Sequence, residues 1–160
     1  MSEGNLQRAT QLLNKTNQMN LSTRRMSDTE LLEWASRDDR KCWTIRVGDR
    51  LGDAGLVGLI SVEVEDDRQA RVADFVLSCR VFGRKIEETA ISTVVQYARS
   101  LGVEKVVADY LPTKRNKVCL EFLSNSGLHR EDNGRFSWDV ADDYPTPAFI
   151  QVEGGPNHRA

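Results

Sequence analysis

The strongest constraint on the fold is a change of hydrophobic period at Gly83. Between residues 42 and 81, apolar and polar residues alternate in three runs, CWTIRVGDR, LVGLISVEVED and RVADFVLSCRV. Alternation with period two is typical of strands, and the turn-forming stretches GDAG and DDRQ separate the runs, so an antiparallel meander is predicted. After Gly83 the apolar residues recur with helical spacing through residue 98, which predicts a helix directly after the third strand.

The remaining segments predict helices before the meander and further strands and helices after it. The stretches NLQRATQLLNKTNQ and DTELLEWASR have helical apolar spacing, and Ser27 with Glu30 forms a capping-box signature before the second. After residue 102 come the predicted strand KVVADYL, the helix NKVCLEFLSN and the strand FSWDV. This order predicts an α+β fold with a central mixed, mostly antiparallel sheet flanked by helices, in one domain over residues 1–150 followed by a flexible tail over 151–160.

Charge and cysteine usage exclude several classes of protein. The net charge of −2 gives no reason to expect a nucleic-acid partner. No apolar run approaches the roughly 20 residues that cross a bilayer, so no membrane partner is expected either. The three cysteines are isolated, and only His129 and His158 accompany them, so the sequence predicts no metal site and a cytoplasmic location.

The junction between the third strand and the helix, SCRVFGRKIEETA, is a candidate anion site. A helix that starts directly after a strand presents unpaired backbone amides and the positive end of its dipole. Arg80, Arg84 and Lys85 add positive charge there. The alternative is structural: a strand needs a turn before its helix, and basic residues are common in exposed turns.

The stretch RVFG, followed by an amphipathic helix, a strand and an asparagine that opens a second helix, resembles the acyl-CoA N-acyltransferase (GNAT) fold. In that fold, a loop with a glutamine or arginine, a glycine three residues later and a small residue two further on wraps the cofactor pyrophosphate. Arg80 and Gly83 match this pattern, whereas Lys85 stands in place of the small residue. The usual tyrosine acid of the second helix is replaced by Leu123.

The resemblance implies a cofactor, coenzyme A or another phosphopantetheine thioester. Its phosphates would lie against the loop Arg80–Lys85, which includes Val81 and Arg84. Asn116 occupies the place where the fold commonly has a residue that contacts the pantetheine arm. These residues are therefore the predicted cofactor-binding set.

The strings RATQLLNKTNQMNLSTRR, GDAGLVG, FVLSCRVFGRKIEE and PTKRN are similar to the C-terminal half of FkbH-like proteins. That family joins a haloacid-dehalogenase-type phosphatase domain to a GNAT-like domain and loads a glyceryl unit onto an acyl carrier protein for polyketide biosynthesis. The resemblance implies an acyl carrier protein as partner and a phosphatase domain as a candidate second partner. The phosphatase motif DxDxT or DxDxV is absent, so the chain is either an excised domain or a free-standing relative.

The candidate catalytic residues lie at the end of the third predicted strand. Asp74 is a carboxylate within an apolar strand, and alternation places Ser78 on its face. The alternative for Asp74 is a partly exposed position paired with a base. Cys79 is a candidate acyl-carrying nucleophile because Arg80 and a helix N-terminus are close. Alternation instead places Cys79 with Phe75, which favours a small buried hydrophobe.

Three function classes follow. The first is an acyltransferase that acts on a carrier-protein or coenzyme A thioester, with Asp74, or alternatively Glu63 or Glu65 on the preceding strand, as the candidate base. Glu63 and Glu65 can equally be solvated strand carboxylates. The second class is a non-catalytic module that docks a carrier protein, and the third is a small-amine N-acetyltransferase.

Overall fold

The computed structural model describes residues 3–66 and 68–154. Across these residues the chain forms four α-helices and seven β-strands, and the predicted α+β fold is confirmed. In chain order they are α1 (Glu3–Lys15), β1 (Met19–Asn20), α2 (Asp28–Ala35), β2 (Arg40–Asp49), β3 (Gly52–Val64), β4 (Gln69–Leu77), α3 (Ile86–Leu101), β5 (Lys105–Asp109), α4 (Lys117–Asn125), β6 (His129–Arg130) and β7 (Arg135–Asp139). None of the helices in the described ranges is long and apolar enough to cross a membrane.

The sheet has the strand order β2-β3-β4-β5-β7-β6, and β4 with β5 is its one parallel pair within the described residues. Parallel neighbours need a crossover connection, and α3 supplies it. The β4–β5 pairing begins at Gln69–Lys105 and ends at Val72–Ala108. In the β3–β4 ladder Ala73 has no partner, so β4 contains a bulge one residue after its pairing with β5 ends. The carboxyl half of β4 therefore leaves β5.

The short strand β1 lies in the opening between the ends of β4 and β5. Residues 76–77 of β4 pair with β3 along one edge and with β1 along the other, so β1 lies on the edge of β4 that faces β5. The Leu21 N–H donates to the Phe75 carbonyl at 3.0 Å, and the Leu111 N–H donates to the Leu21 carbonyl at 3.2 Å. Met19–Leu21, the slot segment from here on, thus bridges the two strands.

Helices cover both faces of the sheet. On one face, α3 and α4 pack against the sheet through a large apolar cluster that includes Phe75, Val94 and Leu123. On the other face, a smaller cluster joins α1 and α2 to the sheet through Leu13 and Leu31. The buried stripe of α1 and the capping box of α2 are as the sequence predicts. Each face of the sheet is therefore covered by a pair of helices.

The structure corrects the predicted β2–β3 turn. The turn lies at residues 50–51, and the GDAG stretch instead opens β3. Gly52 has a φ of 138° and Gly55 a φ of 71°, and the β2–β3 ladder shifts register between Arg46 and Gly48, opposite this stretch. Glycine tolerates these angles, so the stretch forms bulges rather than a turn. The predicted flexible tail over 151–160 is described only to residue 154, so most of it, with His158, lies outside the described residues.

Candidate functional site

The predicted cradle forms a tight connection between β4 and α3. A single 3-10 turn, Cys79–Val81, follows the strand, and α3 begins at Ile86. Gly83 and Lys85 have φ angles of 70° and 66°, in the left-handed region that lysine seldom adopts. Val81 is fully buried and faces the core, whereas the bases of the loop are exposed. The backbone thus makes the turn that the sequence predicts before a helix N-terminus.

Acidic side chains of the same chain already occupy this loop. Arg84 pairs with Asp49, and the Lys85 ammonium donates to the Glu88 carboxylate. Glu87 is buried at the start of α3, and its Oε1 accepts the Gly83 N–H at 2.9 Å. A carboxylate is stabilised at a helix N-terminus by the free amides and the dipole. The Glu87 carboxylate therefore takes the hydrogen bond that an anionic ligand would otherwise accept.

Asn116 is fully buried, and its whole side chain is used inside the protein. Its Oδ1 accepts from the Thr113 N–H at 2.7 Å, the Thr113 hydroxyl at 3.0 Å and the Tyr110 hydroxyl at 2.9 Å. Its Nδ2 donates to the Asn20 carbonyl at 3.0 Å and the Leu111 carbonyl at 2.8 Å. No donor or acceptor of Asn116 is left for a ligand in this conformation.

The slot segment fills the route that a pantetheine arm would take. An arm that ran from the loop 80–85 to Asn116 would pass between the carboxyl ends of β4 and β5, because the loop follows β4 and Asn116 follows β5. Met19–Leu21 lies there, and each of its residues is at most 1% exposed. Leu21 also uses its backbone N–H and carbonyl on the two flanking strands. The slot is closed by the chain itself.

Asp74 anchors the connection between α1 and α2 to β4. Its Oδ1 accepts from the Ser22 hydroxyl at 2.9 Å and from Arg24 Nε at 3.0 Å. Its Oδ2 accepts from the Ser61 hydroxyl at 2.7 Å and from Arg24 Nη2. Arg24 is a basic partner, as the structural alternative for Asp74 predicts. That alternative is wrong about exposure, because the carboxylate is fully buried rather than partly exposed. All four acceptor positions are filled, so a proton-accepting role would need this network to open.

Ser78 and Cys79 lie beyond the end of β4, which changes their environment. The strand ends at Leu77, so alternation no longer decides which way residues 78 and 79 face. Cys79 is exposed, and the prediction of a buried Cys79 packed with Phe75 is therefore wrong. Ser78 is half-buried, its side chain makes no capping bond, and its N–H donates to the Val57 carbonyl. Neither Ser78 nor Cys79 is among the hydrogen-bond partners of Asp74, so the three predicted catalytic residues are not joined by hydrogen bonds.

Glu63 and Glu65 belong to a ladder of ion pairs on the sheet. Glu63 accepts from Arg40 Nη2 at 2.9 Å and also from Arg71, while Glu65 accepts from Arg71 Nε at 2.6 Å. Arg40 in turn lies 4.9 Å from the centre of the Trp34 ring. These contacts agree with the interpretation of both residues as partly solvated strand carboxylates.

Comparisons with solved structures test the fold. A spermidine N-acetyltransferase from Vibrio cholerae, in complex with CoA and spermine, aligns with a TM-score of 0.65 at 18% identity, over 90% of this chain and 94% of that one. A domain from Methanocaldococcus jannaschii aligns with a TM-score of 0.64 at 15% identity, over 87% and 94% of the chains. The chain has the GNAT fold. Rv2747 from Mycobacterium tuberculosis, in complex with CoA and NLQ, aligns with a TM-score of 0.60 at 16% identity, over 81% and 69%.

Sequence comparisons add no family to the GNAT fold. No protein-family model matches the sequence, and no curated protein matches it. At these identities the structural likeness shows the fold alone.

A cavity in the described part of the chain lies beside the start of α3, but no residue of the loop 80–85 lines it. It has a volume of about 560 Å³ and lies between β2 and α3, with residues 150–153 along one side. Trp43, Ile45 and Ala90 contribute apolar surface, and Thr89 and Thr93 contribute hydroxyls. Sequence patterns could not predict it, because it depends on how the carboxyl-terminal segment crosses two distant elements. No cluster of metal-binding side chains occurs within residues 3–66 and 68–154.

Two of the thiols are poor nucleophiles at neutral pH. Burial raises the pKa of Cys119 from 9.0 to about 12. Burial, together with the negative charge of Asp74, raises the pKa of Cys42 to about 12. In the unfolded chain these thiols ionise near pH 9, whereas in the folded chain they keep their protons until about pH 12. The stability that they contribute is therefore fully present below pH 9 and is lost as the pH rises toward 12.

We expect the free energy of unfolding to fall above pH 9 with a slope of up to about 1.4 kcal/mol per pH unit for each thiol. Urea unfolding under reducing conditions between pH 8 and 9.5 measures this slope where most unfolded-state tyrosines, whose ordinary pKa is 10.0, still keep their protons. The variant Cys42→Ala/Cys119→Ala should show a much flatter profile. An equally steep profile in that variant would contradict the assignment.

Proposed function

We propose that this GNAT-fold domain takes part in glyceryl or acyl transfer for polyketide-type biosynthesis by docking an acyl carrier protein, without holding a thioester in its own slot. The closed slot, in which Met19–Leu21 bridges β4 and β5, is the observation that supports a role without catalysis by this domain. The FkbH-like strings support the choice of an acyl carrier protein as partner. A phosphatase domain of the haloacid dehalogenase type is the proposed source of the chemistry on the docked carrier.

The chemical requirements of acyl transfer support this choice. Transfer needs a thioester held in place, a free base and hydrogen-bond donors that face the developing negative charge. Here the Gly83 amide donates to Glu87, the Asn116 amide donates to backbone carbonyls, and Asp74 is saturated by Arg24 and two serine hydroxyls. The Gly83 amide, the Asn116 amide and the Asp74 carboxylate are thus all engaged in the fold.

A second candidate is an acyltransferase that works after the slot opens. The fold is shared with proteins solved in complex with CoA. To open the slot, Met19 and Asn20 would have to leave their pairing with β4, Leu21 would lose two backbone hydrogen bonds, and the Asn20 carbonyl would lose its bond from Asn116. If the segment withdrew, the gap between β4 and β5 would open for a pantetheine arm, and the Asn116 amide would lose its acceptor on Asn20. Asp74, Ser78 and Cys79 would then be the residues to test for catalysis.

Calorimetry combined with intact mass spectrometry separates the candidates. The protein is titrated with the apo, holo and glyceryl-loaded forms of a carrier protein and, separately, with coenzyme A. We expect saturable binding of the carrier, no binding of coenzyme A and no change in the mass of this chain. Binding of coenzyme A with acyl transfer would overturn the module in favour of an enzyme. Consumption of acetyl coenzyme A only in the presence of spermidine would indicate a small-amine acetyltransferase.

A further inference from the structure

A second cavity, of about 250 Å³, lies where the α1–α2 connection meets the β5–α4 connection. These connections contain LSTRR and PTKRN, and the cavity lies beside the slot segment, which belongs to the first of them. We call this cavity the basic pocket. Its lining residues are Asn17, Thr23, Arg25, Thr113, Lys114 and Arg115.

The surroundings of the basic pocket are strongly cationic. Residues 15–27 and 110–120 together contain six basic residues and no Asp or Glu, although the whole chain has a net charge of −2. Within the described residues, no carboxylate pairs with Arg25, Lys114 or Arg115. Of the other basic residues nearby, Arg24 pairs with Asp74. Farther from the pocket, carboxylate partners are found for Arg37, Arg40, Arg46, Arg68, Arg71, Arg84, Arg99 and Arg135. The positive charge of the pocket is therefore uncompensated by the protein.

Arg25 is held in place before any ligand arrives. Its Nη1 donates to the Leu13 carbonyl, and its Nη2 donates to Asn17 Oδ1 at 3.0 Å. A guanidinium has five N–H donors, so donors remain for a ligand. The helix α4 begins two residues after Arg115, and Asn116 makes no side-chain capping bond to it. The positive end of the α4 dipole therefore adds to the local potential.

We infer that the basic pocket binds a phosphate ester. A phosphate carries up to two negative charges and several acceptor oxygens, which match the fixed guanidinium of Arg25 and the two exposed cationic side chains of Lys114 and Arg115. Thr23 and Thr113 place further polar side chains in the lining. The phosphate has two sources: a free phosphate monoester, or the phosphodiester that links pantetheine to a carrier protein. The second source rests on the proposed function, whereas the first does not.

Phosphate binding is tested with inorganic phosphate and glycerol 3-phosphate as probes, by calorimetry at low ionic strength. We expect the variant Lys114→Ala/Arg115→Ala to bind them at least about tenfold more weakly, because it loses two charge-assisted contacts. The matched control is Arg50→Ala/Arg68→Ala, which removes the same charge from the β2–β3 and β3–β4 turns and should bind normally. Both variants alter exposed side chains, and unchanged thermal unfolding confirms that they are folded. Absence of saturable binding, or equal weakening in both variants, would overturn the inference.

A second arm distinguishes the two sources and separates this inference from the proposed function. Holo carrier protein that binds more tightly than apo carrier, with the difference lost in Lys114→Ala/Arg115→Ala, supports the phosphodiester as the ligand. Binding of the free probes without any carrier binding supports the pocket as a small-molecule site and contradicts carrier docking. Carrier binding that does not depend on Lys114, Arg115 or the phosphopantetheine leaves the docking role standing and overturns the phosphodiester as the ligand of the pocket.

Discussion

Replacing Asp74 with alanine should lower the free energy of unfolding by about 3 kcal/mol or more, because it breaks a buried ion pair by removing one partner. The carboxylate is 0% exposed and accepts from Arg24, Ser22 and Ser61. Without it, the buried Ser61 hydroxyl loses its acceptor and the Arg24 guanidinium keeps its charge with only partial access to water. The α1–α2 connection also loses the side-chain bonds from Ser22 and Arg24 that add to its backbone pairing with β4. Urea unfolding of the variant measures the loss.

The chain provides a matched control in Asp109, which also binds one arginine with both oxygens. Arg135 Nε and Nη2 donate to it at 2.7 and 3.0 Å, but its side chain is 40% exposed. A solvent-screened pair of this kind contributes less than about 1 kcal/mol, so Asp109→Ala should change stability little. Equal losses for Asp74→Ala and Asp109→Ala would contradict the structural role of Asp74. A well-folded Asp74→Ala protein that had lost an acyl transfer activity would favour catalysis instead.

The variant Asn116→Ala should lower the free energy of unfolding by about 2–4 kcal/mol, because several buried groups lose their hydrogen-bond partner at once. The Asn20 and Leu111 carbonyls lose donors, and the Thr113 amide and the Tyr110 hydroxyl lose an acceptor. Asn20 belongs to the slot segment, so the slot should also open more often. Urea unfolding measures the first effect, and faster hydrogen exchange at the Leu21 amide measures the second.

Asn125 on the same helix is the control for Asn116. It is exposed, and its Nδ2 donates only to the Glu121 carbonyl. Its replacement by alanine should stay within about 0.5 kcal/mol of the parent protein. If Asn116→Ala were as stable as Asn125→Ala, with unchanged exchange at Leu21, the network that holds the slot segment would not have the importance assigned to it.

The architecture was accessible from the sequence because its main elements are long and strongly periodic. The alternating runs predict β2, β3 and β4, and the helical stripe after Gly83 predicts α3. These elements alone dictate a meander followed by a crossover, and the crossover explains the parallel β4–β5 pair. Two-residue strands such as β1 carry no usable period, so the slot segment could not be recognised as part of the sheet.

The candidate site was harder to predict, because its character depends on which groups meet in space. The sequence places Arg80, Gly83 and Asn116 in a pattern typical of cofactor binding. It does not reveal that the Glu87 carboxylate accepts the Gly83 N–H or that the Asn20 carbonyl accepts from Asn116. A signal for Glu87 exists in retrospect: it is an acidic residue in the first turn of α3, where a carboxylate is stabilised by free amides. Cys79 was misplaced because alternation was extended past the end of β4.

Hydrogen exchange at the Leu21 amide, with and without saturating coenzyme A, tests the closed slot most directly. This amide donates to the Phe75 carbonyl, and a pantetheine arm between β4 and β5 would have to displace it. The closed slot predicts that Leu21 keeps the same protection in both samples. Loss of protection at Leu21 on addition of coenzyme A, together with new protection in the loop 80–85, would show that the slot opens for the cofactor and would contradict the account.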